Sequence, residues 1–552
     1  MAISTKKNSM IPADTAYLNG NIYTVDEQNP KASAMVIADD RFIYIGSNET
    51  ANGYIDEHTK VFDLNGQTVL PGLIDAHMHF GNVGNIKMKI DAFWKPKPDI
   101  IDAVRNAADA AENGEWIEGR GWNQEVWDPP DYPTRADLDA VSQGHPVYLE
   151  RTDGHAAWVN SKALELAGIS KDTHNPVGGE IIKDADGIPT GVLVDTAKLL
   201  ASENIPPFSE QKALKALEMA QKEFFSNGVT SGHDAGSDLQ TIERVKRLYD
   251  AGRLCMRLYV FMRIPDGSTT LGDEFYAPGK QIGLYNNSLT IRGIKISIDG
   301  TLGSHGALMI KGFSDRSDGY LGLQRVTRER LLAVAKRAHE AGFQVAVHAI
   351  GDAANRQALD VFEQVVQKNP GSDHRHRIEH AQVVALEDIP RFKRLGVIPA
   401  MQAVHATSDK NMAEKRVGPE RIKGAYAWRK FLNTGAIIPN GTDAPVEKVN
   451  PFHVLFASVT RQSRDEDPPG GWYPAEKMTR EEALRSYTIW AAYAAFEENI
   501  KGSICEGKLA DFIVIDRDYM KCPDSEIKDI RVLQTILGGD VVFSAQKGLP
   551  KK

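Results

Sequence analysis

Thr68-Val69-Leu70-Pro71-Gly72-Leu73-Ile74-Asp75-Ala76-His77-Met78-His79 is an apolar run that closes on two histidines. On an extended strand, residues two apart project to the same side, so His77 and His79 present two imidazole nitrogens to one metal ion. A hydrophobic strand with a two-pronged ligand at its end has the form of a catalytic metal site. Four later stretches repeat that form: Gly293-Ile294-Lys295-Ile296-Ser297-Ile298-Asp299-Gly300, Phe343-Gln344-Val345-Ala346-Val347-His348, Arg377-Ile378-Glu379-His380 and Asn440-Gly441-Thr442-Asp443-Ala444-Pro445. Each is a short run that ends in, or carries, a ligand or a base.

These stretches belong to a longer alternation of short apolar strands with helix-length segments, the pattern of a parallel α/β protein. Strands are expected over 68–77, 228–233, 256–262, 291–298, 343–348, 375–380, 397–402 and 436–442. Eight is the number that closes a (β/α)8 barrel, and a barrel accounts for the count better than an open sheet does. Segments such as 328–338, with apolar residues at three-and-four spacing, coat its outside. The interval from about 85 to about 205 far exceeds a βα loop of about 2 to 6 residues and reads as an inserted subdomain. Its Trp122, Trp127 and Trp158 serve either as packing or as aromatic walls of a lid over the barrel mouth, which makes Trp122 a candidate pocket residue. The first seventy residues read as short strands punctuated by Asn19-Gly20, Asp39-Asp40 and Asn65-Gly66 as hairpin turns. The last fifty are strand-rich too, so both termini build one small β domain.

At 552 residues, with 42% hydrophobic and 25% charged residues, the chain has ample material for a core and for two or three structural units. Its net charge of −9 carries no basic block, which removes the footprint of a nucleic-acid binder and favours a small-molecule substrate. Cys255, Cys505 and Cys522 form no CxxC pair, which fits a reducing, cytoplasmic setting. No signal-peptide core and no membrane-length apolar run is visible.

In the strand around Lys295, strand parity turns Lys295, Ser297 and Asp299 inward and the isoleucines toward the helices. A buried ammonium needs a partner. Two readings account for it: a salt bridge to Asp299 or Asp443, or addition of carbon dioxide to give a carbamate that bridges two metals. By spacing alone the salt bridge is preferred; the surrounding histidines favour the carbamate. His348 and His380 close strands one βα unit apart and converge on the C-terminal mouth, where barrel active sites lie. With His77 and His79 they supply the nitrogens of a zinc-type site with open positions. Asp443 is placed to bind metal and to take the proton of an attacking water.

In residue types and order this set resembles the amidohydrolase superfamily. Ile294-Lys295-Ile296, Asp299-Gly300-Thr301-Leu302-Gly303-Ser304, Arg377-Ile378-Glu379-His380, Gly441-Thr442-Asp443-Ala444-Pro445-Val446, the tail Gly507-Lys508-Leu509-Ala510-Asp511-Phe512 and the insertion run 152–161 are similar to its YtcJ-like branch, which includes N-substituted formamide deformylases. The resemblance implies a β-sandwich from 1–67 and 500–552, a barrel from 68–84 and 206–499, and an α/β lid from 85–205. It implies one or two zinc or other divalent transition-metal ions at His77, His79, Lys295, His348, His380 and Asp443, with Lys295 carboxylated. It further implies hydrolysis of a carbon–nitrogen bond by activated hydroxide, and a homodimer. His155 either touches the substrate carbonyl or packs the lid. His405 and Asp409 are further pocket candidates, and His305 is another, standing where the branch commonly has arginine. Two alternatives remain at this point: a ring-amidine deaminase or lactone hydrolase on the same site, and a non-catalytic binding relative.

Overall fold

The computed structural model describes residues 13–93, 95–124, 127–151, 156–176, 179–265, 271–367 and 372–545. The run that opens the barrel is two strands, not one. Thr68–Pro71 pairs antiparallel with Phe512–Ile515, whereas Leu73–Met78 pairs parallel with Val229–Ser237. Gly72 lies between them, where a Cβ would come within 2.3 Å of Thr230 Oγ1, so only glycine lets the chain pass from one sheet to the other.

Seven parallel strands form the barrel sheet: β1 (Leu73–Met78), β2 (Val229–Ser237), β3 (Arg257–Arg263), β4 (Leu289–Ser297), β5 (Gln344–Ala349), β6 (Arg377–His380) and β7 (Ile398–Ala400), neighbours in that order. The eighth expected strand, 436–442, is not a regular ladder strand. Its Pro439 has no N–H to donate, yet the segment bonds on both sides. Met401 N donates to Pro439 O and Gly441 N to Met401 O, while Ala76 N donates to Asn440 O and Asp443 N to His77 O. Backbone bonds from β1 and from the residue after β7 thereby close the (β/α)8 barrel with an irregular eighth member.

Two further sheets combine the chain ends. One orders Arg41–Gly46, Ala34–Ala38, Thr15–Leu18 and Lys60–Asp63; the other orders Asp540–Ser544, Val532–Leu537, Phe512–Ile515, Thr68–Pro71, Asn21–Tyr23 and Lys31–Ala32. Ile22, Met35, Phe42, Val69, Phe512, Val514 and Ile536 share one buried cluster between them. Tyr17 stacks on Phe62 and meets Phe512 edge-on, each at 5.0 Å. Of the three expected hairpin turns, Asp39-Asp40 joins paired strands. Asn19-Gly20 and Asn65-Gly66 instead carry the chain from one sheet to the other, since the strands they join pair with different partners.

Residues Val83–Met219 form a compact unit of their own around a six-stranded sheet. Trp122 and Trp158 are fully buried in its core. Trp122 Nε1 donates to Leu149 O at 2.7 Å and Trp158 Nε1 to Thr134 O at 2.8 Å, while Trp127 lies 6.2 Å from Trp122 ring to ring. Trp122 is therefore a core residue of the insertion and not the pocket wall expected from sequence. A large indole in a sheet core removes more apolar area from water than one left at a lid surface. Among the described residues no helix is long and apolar enough to cross a membrane.

Candidate metal centre

The ends of β1, β5 and β6 and the closing segment bring His77, His79, His348, His380 and Asp443 together. Strand parity aims His77 and His79 inward from β1, and their Nε2 atoms stand 3.4 and 3.3 Å from Asp443 Oδ1. The rings of His77 and His380 are 4.8 Å apart and those of His348 and His380 4.6 Å. Asp443 reaches this point because its backbone is left-handed, φ 56°, immediately after the segment bonded to β1.

Alternation along β6 would put Glu379 and His380 on opposite faces. The structure turns both toward the site, because His380 (φ 73°) and Ala381 (φ 42°) leave the strand in the left-handed region. Glu379, which sequence reasoning left unassigned, takes His77 Nδ1 at 2.5 Å. Arg377 in turn grips Glu379 at both oxygens, 2.7 and 2.8 Å, donates to Ala76 O, and meets His233 Nδ1 at 2.8 Å. The signal was present in the sequence as two opposite charges two residues apart on a buried strand. Burial pushes the Glu379 carboxyl up, but the Arg377 charge and the His77 bond overcome it and hold it far below the ordinary range. Asp75 likewise braces the closing segment, accepting Thr442 N and Oγ1 and His77 N.

Lys295 is buried, and its Nζ donates to Ala235 O at 3.2 Å. The expected salt bridge to Asp299 is not formed: Asp299 accepts the backbone N–H groups of Leu308, Ile350 and Gly351 instead. A loop that returns its amides to a carboxylate satisfies that carboxylate without the lysine. Burial lowers the Lys295 ammonium below its usual pKa, against the opposing pull of Glu379 and Asp443. Burial, and then the Lys295 charge, takes His348 down to about 3, and burial followed by the His348 charge keeps His380 far below its usual value. His348 and His380 are thus neutral, with lone pairs available.

The remaining candidates separate. His405 belongs to the cluster, with Nε2 3.5 Å from Asp443 Oδ2. Asp409 faces Tyr426 OH and Gln382 Nε2, at 2.7 and 2.9 Å. His305 pairs with Asp315 at 3.1 Å and packs edge-on against Phe313, and the contacts found for it include no ligand histidine. His155 lies outside the described residues.

The donor set fits a metal ion. The Nε2 atoms of His77, His348 and His405 are buried with no hydrogen-bond partner, a costly arrangement unless something else takes their lone pairs. Ligand atoms of His77, His79 and Asp443 lie within 4.8 Å of one another, as do those of His380, His405 and Asp443. Glu379 and Gln402 (2.7 Å from His380 Nδ1) occupy the opposite ring nitrogens, which is how metal-binding imidazoles are held.

Gly441 sits where a Cβ would approach His77 N at 2.5 Å and Asp75 Oδ1 at 2.7 Å. Gly441→Ala should therefore push the closing segment off β1, destabilise by about 1–3 kcal/mol as overpacking does, and lower bound metal. Elemental analysis beside a urea titration checks this, and an unchanged metal content would uncouple the contact from the site.

Comparison with known proteins agrees with this geometry. The profile of the Amidohydrolase family matches residues 60–543. The chain is 34% identical over 547 residues to the protein LONG AFTER FAR-RED 3 of Arabidopsis thaliana, covering 97% of this chain and 92% of that one. It is 31% identical over 532 residues to the putative amidohydrolase YtcJ of Bacillus subtilis, covering 95% and 98%. To the N-substituted formamide deformylase of Arthrobacter pascens it is 27% identical over 544 residues, covering 95% and 97%. A crystal structure described as an uncharacterized metal-dependent hydrolase from Pyrococcus horikoshii OT3 superposes with a TM-score of 0.75 at 27% identity, covering 92% of this chain and 99% of that one. With a family profile spanning the barrel and both ends of the ligand set, the chain belongs to the amidohydrolase family, in the branch of YtcJ.

Proposed function

We propose that this protein is a metal-dependent hydrolase of carbon–nitrogen bonds outside peptides, acting on N-substituted formamides or similar small amides. The observation that carries the reading is the convergence of His77, His79 and Asp443, with the His77 Nε2 buried and unpartnered. Those three would hold the ion, with His348, His380 and a carboxylated Lys295 completing the set as the resemblance implies; zinc suits so many imidazoles. When bound, such an ion lowers the pKa of water toward neutrality and polarises a carbonyl.

The chain's own groups do the rest. Glu379 holds the Nδ1 proton of His77, so that Nε2 keeps its lone pair toward the site. Gln402, whose amide nitrogen is fixed on Ala400 O, offers its oxygen to His380 in the same way. Asp443 takes the proton of the attacking water at a carboxylate oxygen and returns it to the departing nitrogen. Lys295 adds through Nζ to the carbon of carbon dioxide, forming an N–C bond and releasing one proton; its burial without a carboxylate partner supports this.

The substrate class draws support from the deformylase relative. A metal-replete preparation should release primary amine and formate from benzyl, aryl or alkyl formamides, and lose that activity on chelation until zinc is restored. Ammonia from ring amidines or opened lactones, with no amine from any formamide or acetamide, would overturn the substrate class and leave the metal chemistry standing. Isotope-labelled bicarbonate should yield a lysine carbamate carbon signal in the metal-loaded protein. Absence of that signal at full metal occupancy would return Lys295 to an amine.

A further inference from the structure

His405 is left over once His77, His79 and Asp443 are taken as one ligand set. It lies on the short helix Ala403–Asp409 that follows β7, and its side chain is 14% exposed. Its Nε2 is buried without a hydrogen-bond partner and faces Asp443 Oδ2 at 3.5 Å. Its ring lies nearly parallel to that of His380, 5.8 Å away at 26°. Because Gln402 occupies His380 Nδ1, the nitrogen that His380 has to offer is Nε2.

The distances discriminate between a hydrogen bond and joint ligation. A charge-assisted bond between a ring nitrogen and a carboxylate closes to about 2.7–2.9 Å. Two donors on one tetrahedral zinc, each about 2.0–2.1 Å from the ion, stand about 3.4 Å apart. The separations from Asp443 are 3.4 Å to His77, 3.3 Å to His79 and 3.5 Å to His405, all at the second value. The two carboxylate oxygens are also divided, Oδ1 toward His77 and His79 and Oδ2 toward His405. One oxygen therefore faces each nitrogen set.

We propose that His405, with His380 and Asp443 Oδ2, holds a second divalent cation, so that Asp443 is shared between two ion subsites. The inference rests on the metal reading of the first set. It gives His405 a role that neither strand parity nor the family resemblance assigns to it.

The full chain, stripped with a chelator and titrated with Zn2+ by calorimetry, should bind two equivalents. His405→Ala and His405→Gln should each lose the second equivalent and keep the first, with melting temperatures of the stripped proteins unchanged. Two equivalents at wild-type affinity in both variants would overturn the proposal and leave His405 as a hydrogen-bonding neighbour of Asp443. Should the variants fail to fold, anomalous diffraction from zinc-soaked crystals of the unmutated protein decides it. A peak among His380, His405 and Asp443 supports the second subsite; a single peak at His77, His79 and Asp443 sinks it while sparing the first. Failure to bind any zinc would remove both.

Discussion

Asp443→Asn should lower turnover by about 10² to 10⁴-fold, the range that positioned acid–base groups contribute, while leaving the fold intact. The amide is nearly isosteric and can still accept at its oxygen, but it cannot take a proton from water and pass it on. Burial pushes the Asp443 carboxyl up, yet the charge of His77 and the bonds from His77 and His79 outweigh that and hold it well below the usual range. It is therefore ionised and competent as a base at neutral pH. Turnover should be measured at matched metal content, because Asp443 also lies within reach of both histidine sets. An Asn variant that keeps its metal and turns over at the wild-type rate would reassign Asp443 to holding the ion alone.

Arg377→Met should destabilise the protein by about 3–5 kcal/mol, the cost of leaving one member of a buried ion pair uncompensated. Both partners are sealed from solvent, Arg377 at 0% and Glu379 at 1% exposure, so neither can turn to water. The guanidinium also supplies the bond to Ala76 O, one residue before His77. Loss of the arginine should therefore loosen His77 as well, and metal affinity should fall by roughly 10 to 100-fold, as for other groups that orient a ligand from behind. Glu379→Gln separates the two effects, since it retains an acceptor for His77 Nδ1 but removes the charge. Urea midpoints and zinc titrations of the two variants give the comparison. An Arg377→Met protein with wild-type stability and affinity would show that the pair is not what holds His77.

The difference between what could be read and what could not is visible at β6. His380 was legible as a ligand because it ends an apolar strand, and strand ends at a barrel mouth are where ligands gather. Glu379 was not, because simple alternation assigns it to the opposite face. Two successive left-handed residues, His380 and Ala381, undo that alternation, and neither is a glycine that would have announced it. Trp122 failed in the other direction. Its position after the ligand strand suggested a wall, but its neighbours Trp127, Trp158 and Leu149 enclose it within the insertion's own sheet.

What the sequence alone determined is the period of each strand, and with it the inward set His77, His79 and Lys295, because side-chain parity is a property of a few consecutive residues. The alternation of strands with helices, and so the barrel, was determined in the same local way. Only the tertiary structure decided the partners. His77 meets Glu379 across 302 residues of chain, Thr68–Pro71 joins strands from the far C-terminal end, and the two oxygens of Asp443 divide between two histidine sets. These depend on where closed strands place their ends relative to one another and on single left-handed turns, which no local pattern of residue types encodes.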